Sequence, residues 1–159
     1  MGFIKLEKKD EPLNEVYQKV LEYNQKHRGC IAWRIRKHCE VINMHLNPDE
    51  HVLFAFAGQK NYSFTDIFST CVVALTNKRL LIGQKGLFFG YYLTSITPDL
   101  YNDLKVHQGL LWGRVIIDTV KEKVIISNID KHGLDDIETS ITEYMIKEKK
   151  KYYSNENKN

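Results

Sequence analysis

The chain has 159 residues, enough for one domain with a short extension, and its 43% apolar and 27% charged content are globular values. The longest wholly apolar runs, such as Val52–Ala57 and Cys71–Leu75, are a few residues long. A membrane-spanning helix, which needs about 20, is therefore excluded. The formal charge is +3, and the segment Lys147–Asn159, with five Lys and two Glu, accounts for all of it. The remaining body is neutral and has no field for tracking phosphates, which argues against nucleic-acid binding.

Residues 12–28 are predicted as a first helix. Leu13, Val16, Tyr17, Val20 and Leu21 fall on one stripe, Pro12 suits the first turn, and His27-Arg28-Gly29 reads as a stop with Gly29 as a left-handed cap. A second helix is predicted over 31–46 from Ile31, Ile35, Cys39, Ile42 and Leu46, ended by Asn47-Pro48. From residue 51 the period changes to short β-branched and aromatic runs separated by turn residues. Seven strands are predicted: His51–Gly58, Thr70–Leu75, Leu80–Gln84, Phe89–Ile96, Asp103–Gln108, Arg114–Asp118 and Lys123–Ser127. The Cys71–Leu75 and Val124–Ile126 runs lack polar alternation, so both strands are expected to be covered on both faces. Leu134, Ile137, Ile141, Tyr144 and Met145 then line one face of a last helix, Leu134 to Lys150. Acidic residues crowd its start and lysines its end, in keeping with the helix dipole. Residues 151–159 are expected to form a flexible, solvated tail.

Seven strands followed by one amphipathic helix is the order of a pleckstrin-homology (PH) domain. The segment Leu46-Asn47-Pro48-Asp49-Glu50-His51-Val52-Leu53 resembles the lead-in of bacterial PH-like domains. Ala74-Leu75-Thr76-Asn77-Lys78-Arg79-Leu80-Leu81-Ile82 resembles their second hairpin, and Gly109-Leu110-Leu111-Trp112-Gly113 resembles the turn between their fifth and sixth strands. The likeness is closest to the YokE-like group and covers about 46–146. It implies an α+β fold: a seven-stranded antiparallel sandwich or barrel capped by a C-terminal helix and preceded here by two more helices. The expected division is a two-helix extension at 1–46, a PH-like domain at 47–150 and the tail at 151–159.

No catalytic constellation stands out. The six histidines are scattered, the His38-Cys39 pair points in two directions on a helix, and Asp135-Asp136 is explained by the helix dipole. Asp49-Glu50 reads as a lead-in turn. Cys30, Cys39 and Cys71 make an odd count without zinc spacing, so reduced thiols, a cytoplasmic location, no metal and no cofactor are expected. The starting sequence carries no apolar stretch of a secretory signal.

The expected function is a non-catalytic interaction module that binds proteins, copies of itself included. Lys78 and Arg79 are placed at the rim of a hairpin turn, where Asn77 suits left-handed geometry. The loops that form the ligand end of PH domains would offer Lys60, Lys85, Lys121 and Lys123, with Glu122 opposing. None of these loops has an Arg for bidentate phosphate binding, which argues against specific inositol-phosphate recognition. The aromatic residues Tyr17 and Trp33 are candidate interface residues on the first two helices. The first stripe must dock somewhere: either on its own sandwich, or on another chain, the favoured expectation because the PH-like unit already has a capping helix. The alternative function is weak binding to anionic membrane surfaces through the basic tail.

Overall fold

A computed structural model describes residues 14–29, 34–60 and 69–158. Helices α1 (Glu15–Lys26) and α2 (Ile35–Asn43) precede seven strands: β1 (Val52–Lys60), β2 (Thr70–Thr76), β3 (Leu80–Lys85), β4 (Tyr91–Ile96), β5 (Tyr101–Gln108), β6 (Trp112–Thr119) and β7 (Lys123–Asp130). Helix α3 (Leu134–Glu156) closes the chain. The strands form one antiparallel sheet in the order β4-β3-β2-β1-β7-β6-β5, which curls into a half-barrel. All seven predicted strands are present, shifted at their ends by a few residues; Phe89 lies in the turn before β4 rather than in the strand.

The sheet has a core on each face. On the concave face Phe56, Cys71, Val73, Leu75, Ile117 and Ile126 pack with Leu134, Ile137, Ile141 and Met145 of α3. On the other face Ala55, Ala57, Val72, Ala74 and Leu81 pack against Val16 and Val20 of α1 and Ile35, Cys39 and Ile42 of α2. Strand β2 is thus buried on both sides, as its unbroken apolar run requires. In β7, by contrast, Ile125 stays half-exposed, so only one face of that strand is covered. Small residues let the helices approach. A Cβ on Gly83 would meet Cγ1 of Ile42 at 2.5 Å.

This packing overturns the expectation that α1 docks on another chain. Val16 and Val20 are fully buried against their own sheet. The reason is in β1 and β2, whose outward positions are Ala and Val and would be an exposed apolar face without the helices. Polar ties fix the arrangement. His27 Nε2 lies 2.6 Å from Asp136 Oδ2, and the Arg28 amide donates to Asp130 Oδ2 at 3.0 Å, clasping the end of α1 to the start of α3. Asn14 caps α1 by accepting from the Tyr17 amide; Pro12 and Leu13 lie outside the described residues. Gly29 does not take the left-handed cap expected of it. Instead, a Cβ there would collide with Asn24 at 1.9 Å, so its smallness permits a close return of the chain.

Helix α3 continues six residues past its predicted end at Lys150, so most of the expected flexible tail is helical. The local sequence supports it. Lys151 pairs with Glu148 one turn back at 2.8 Å, and Lys149 Nζ donates to the Tyr101 carbonyl at 2.6 Å.

Candidate functional site

Two convex turns carry large apolar side chains into solvent, and one of them borders a cleft. The β5–β6 turn is closed by the Gly109 amide donating to the Trp112 carbonyl at 2.9 Å. A Cβ on Gly109 would meet that same carbonyl at 2.6 Å, so the turn requires glycine. Leu110, Leu111 and Trp112 are 87%, 64% and 48% exposed. Across from them β7 bulges: its register with β6 shifts between Gly113 and Val115, and Asn128 takes φ 57°, a left-handed conformation that Asn tolerates. The bulge lets one strand pair with β6 and also reach Gln59 and Lys60 of β1. Asn128 Nδ2 donates to Gln59 Oε1 at 2.5 Å, and Ser127 Oγ donates to the Gln59 carbonyl at 3.3 Å. Between turn and bulge lies a cleft of about 350 Å³, with the leucines and Trp112 on one side and Gln59, His107, Arg114 and Asn128 at its polar margin.

The residues expected from the sequence to form an interaction site do not converge. Lys78 and Arg79 sit at the β2–β3 turn, whereas Lys60 and Lys85 sit at the opposite end of the same strands. Arg79 is built into the fold. Its Nε donates to Glu50 Oε1 at 2.9 Å, Nη2 to Glu50 Oε2 at 3.1 Å and to the His45 carbonyl at 2.9 Å, and Nη1 to Ser95 Oγ at 3.2 Å. Glu50 is only 3% exposed and also accepts from the Thr76 hydroxyl at 2.7 Å and the Asn47 amide at 3.1 Å. Burial alone would raise the Glu50 pKa; the Arg79, Asn47 and Thr76 donors outweigh it and hold the carboxyl below its usual range.

Lys78 pairs with Asp49 at 2.5 Å. Asn77 has no positive φ, contrary to expectation; its side chain accepts from the His51 amide at 2.8 Å and donates to the Asp49 carbonyl at 3.1 Å. The lead-in 46–53 and the hairpin 74–82 are therefore two halves of one clasp. The Glu50 carboxylate, expected from the sequence only as part of a lead-in turn, is its centre. Tyr17 is half-buried at the edge of the α1–α2 core with the Arg36 guanidinium 5.9 Å from its ring centre, and Trp33 lies outside the described residues.

The leucine–tryptophan turn and the Leu87-Phe88-Phe89 turn between β3 and β4 were missed as surface features. The signal was available in both: three consecutive large apolar residues inside a glycine-bracketed turn, where polar residues are the norm. His38 and Cys39 do not form a reactive pair. His38 Nδ1 accepts the Lys85 amide at 2.7 Å, and burial, helped by Arg34, lowers its pKa to about 4. Burial pushes the Cys39 thiol up to about 12, far from a nucleophilic thiolate at neutral pH. Cys71 is likewise buried; Cys30 lies outside the described residues. Among the described residues no three His, Cys, Asp or Glu side chains gather as a metal site, and no helix is long and apolar enough to cross a membrane.

A curled antiparallel sheet of seven strands with β1 joining its two halves, closed by a C-terminal helix, defines a PH-like protein. The chain belongs to the bacterial PH domain family, whose model matches residues 46–143. That segment holds all seven strands and the start of α3 with its buried Leu134, Ile137 and Ile141, while α1 and α2 precede it. No curated protein matches the chain. PH domains are generally non-catalytic binding modules that mediate protein or lipid interactions.

Proposed function

We propose that this protein is a cytoplasmic, protein-binding PH-like module of the YokE-like group, and that the cleft beside Leu110, Leu111 and Trp112 holds an apolar side chain of the partner. The observation that carries this reading is the cleft itself: about 350 Å³, walled by three apolar residues on a glycine-closed turn. A space of this size admits a large aliphatic or aromatic side chain, and Trp is a residue type that anchors interfaces. The rigid bulge opposite supplies amide groups from Gln59 and Asn128 at the margin, suited to the backbone of an extended partner segment. The buried thiol of Cys39 suits a reducing compartment. A second copy of the chain is among the partners this surface would accept.

Panning a random peptide library against the full chain tests the reading. Selected peptides are expected to share one large apolar residue and to lose at least about tenfold in affinity to Leu110→Ser/Leu111→Ser, a surface change that leaves Tm unaltered. Peptides without a common apolar anchor, or equal binding to the double variant, would refute it. Light scattering across a concentration series tests self-association. A mass that rises with concentration in the native chain and not in the double variant is expected; a constant monomer mass removes the self-binding part.

A further inference from the structure

The sheet ends on two edge strands, β4 and β5, whose edges differ in chemistry. Strand β5 is blunted. It carries Asp103, Lys105 and His107, and its register with β6 shifts between Tyr101 and Asp103. Lys149 Nζ donates to the Tyr101 carbonyl at 2.6 Å, and the Asp103 carboxylate accepts from the Leu104 amide at 2.8 Å. Charges, a bulge and occupied backbone groups are devices that keep an edge from pairing with another chain. Strand β4, Tyr91-Tyr92-Leu93-Thr94-Ser95-Ile96, has none of them: it holds no charge and no proline, and its register with β3 is unbroken.

Two turn bonds determine which backbone groups of β4 face outward. The Gly86 amide donates to the Gly90 carbonyl at 3.0 Å, and the Thr76 amide donates to the Arg79 carbonyl at 2.9 Å. Alternation along an antiparallel ladder then turns Leu81 and Gly83 toward β2, and Leu80, Ile82 and Gln84 toward β4, where they bond Ile96, Thr94 and Tyr92. The N–H and C=O groups of Tyr91, Leu93 and Ser95 therefore point away from the sheet, and no hydrogen bond from a described residue reaches them. Leu93 lies at the margin of the α1–α2 core. Tyr92, on the opposite face, is 69% exposed.

We propose that β4 pairs with β4 of a second copy, antiparallel about a two-fold axis at Leu93, so that the sheet runs on from one protomer into the other. Leu93 then faces its symmetry mate and Tyr91 faces Ser95 of the other copy, each as a hydrogen-bonded pair. This register uses every outward N–H and C=O of both strands, and no other alignment of the two strands does. Tyr92 lies opposite Thr94 of the other copy in a non-hydrogen-bonded pair, where side chains approach most closely. An uncharged edge meets its own copy without repulsion. Continued past the strand ends, the register brings the hairpin apex Phe88-Phe89 of each copy alongside Thr97-Pro98 of the other. Phe88 and Phe89, 82% and 92% exposed in the single chain, gain cover there that a lone peptide strand would not provide. That contact selects a second copy over an unrelated extended segment. The β4 edge is separate from the β5–β6 cleft, and either proposal survives failure of the other.

Light scattering on the full chain carrying Leu110→Ser/Leu111→Ser, which removes association through the cleft, isolates this contact. A mass twice that of the single chain, constant over a micromolar series, is expected. Adding Tyr92→Lys/Thr94→Lys sets like charges opposite one another across the two-fold and should give the single-chain mass with an unchanged circular dichroism spectrum. In hydrogen exchange the amides of Tyr91, Leu93 and Ser95 should be protected at least about tenfold more in the dimer than in the lysine variant. Disulfide trapping reads the register itself. Chains carrying Tyr92→Cys, mixed with chains carrying Thr94→Cys, place the two Cα atoms about 4.5 Å apart and should crosslink at those positions under mild oxidation, whereas neither chain alone should. A single-chain mass in the parent, a dimer that persists in the lysine variant, or absence of that crosslink overturns the proposal; if the lysine variant does not fold, the crosslink decides. Amides of β4 that gain protection in a monomeric chain only when a selected peptide is added assign the edge to another protein and overturn it as well.

Discussion

Replacing Arg79 by Met tests whether the clasp between the lead-in and the second hairpin holds the fold together. The substitution keeps most of the aliphatic stem and removes four donated hydrogen bonds, two of them to Glu50. The Glu50 carboxylate would remain, 3% exposed, with only the Thr76 hydroxyl and the Asn47 amide. Breaking a buried pair from one side costs about 3–5 kcal/mol, because the surviving charge stays desolvated. Urea unfolding at pH 7 should show a loss in that range. Glu50→Gln/Arg79→Met should lose less than the two single variants together, by at least about 1 kcal/mol. The pH dependence has a definite sign. In the native chain the Glu50 pKa is depressed, so its contribution is complete above the unfolded carboxyl value and disappears as pH falls through the folded one. In Arg79→Met, burial is no longer offset and the folded pKa rises above the unfolded value, so the deficit shrinks as the pH approaches 4. A loss below about 1 kcal/mol, additive singles, or a deficit that does not shrink in acid would refute the reasoning.

His38 is neutral in the fold with a pKa lowered to about 4, whereas the unfolded residue titrates near 6.5. The unfolded state binds the extra proton between those values, so stability should fall by about 2 kcal/mol from pH 7 to pH 5 in urea titrations, and His38→Gln should remove most of that slope. A slope unchanged in the variant refutes the assignment. Val16→Asp places a carboxylate in a fully buried position between α1 and the sheet; it should cost at least about 3 kcal/mol and leave the solution mass unchanged, and a folded variant with reduced mass would show that the helix docks elsewhere. Ile141, fully buried beneath α3, should lose about 2–5 kcal/mol on substitution by Ala in denaturant unfolding; a loss below about 0.5 kcal/mol would place the stripe at the surface.

The sequence by itself determined the elements whose cause is local. Alternation and turn residues placed the seven strands. An apolar stripe of about three turns placed α3, and an unbroken apolar run marked β2 as buried on both faces. Order then pointed to the PH-like architecture, which the family match supports. What it did not decide depends on residues far apart in the chain. The docking of α1 on its own sheet rests on Ala55, Ala57 and Ala74 facing the same way, which only the strand register determines. Arg79 looked like a free rim cation because its partner Glu50 is 29 positions away. Lys60, Lys85, Lys121 and Lys123 could be assigned to one end, but the exposure of Phe88 and Phe89 depends on how glycine and α2 hold the β3–β4 turn. A side chain's periodicity fixes which face it takes; whether that face meets another segment or water is settled only when the sheet curls and brings the distant segments together.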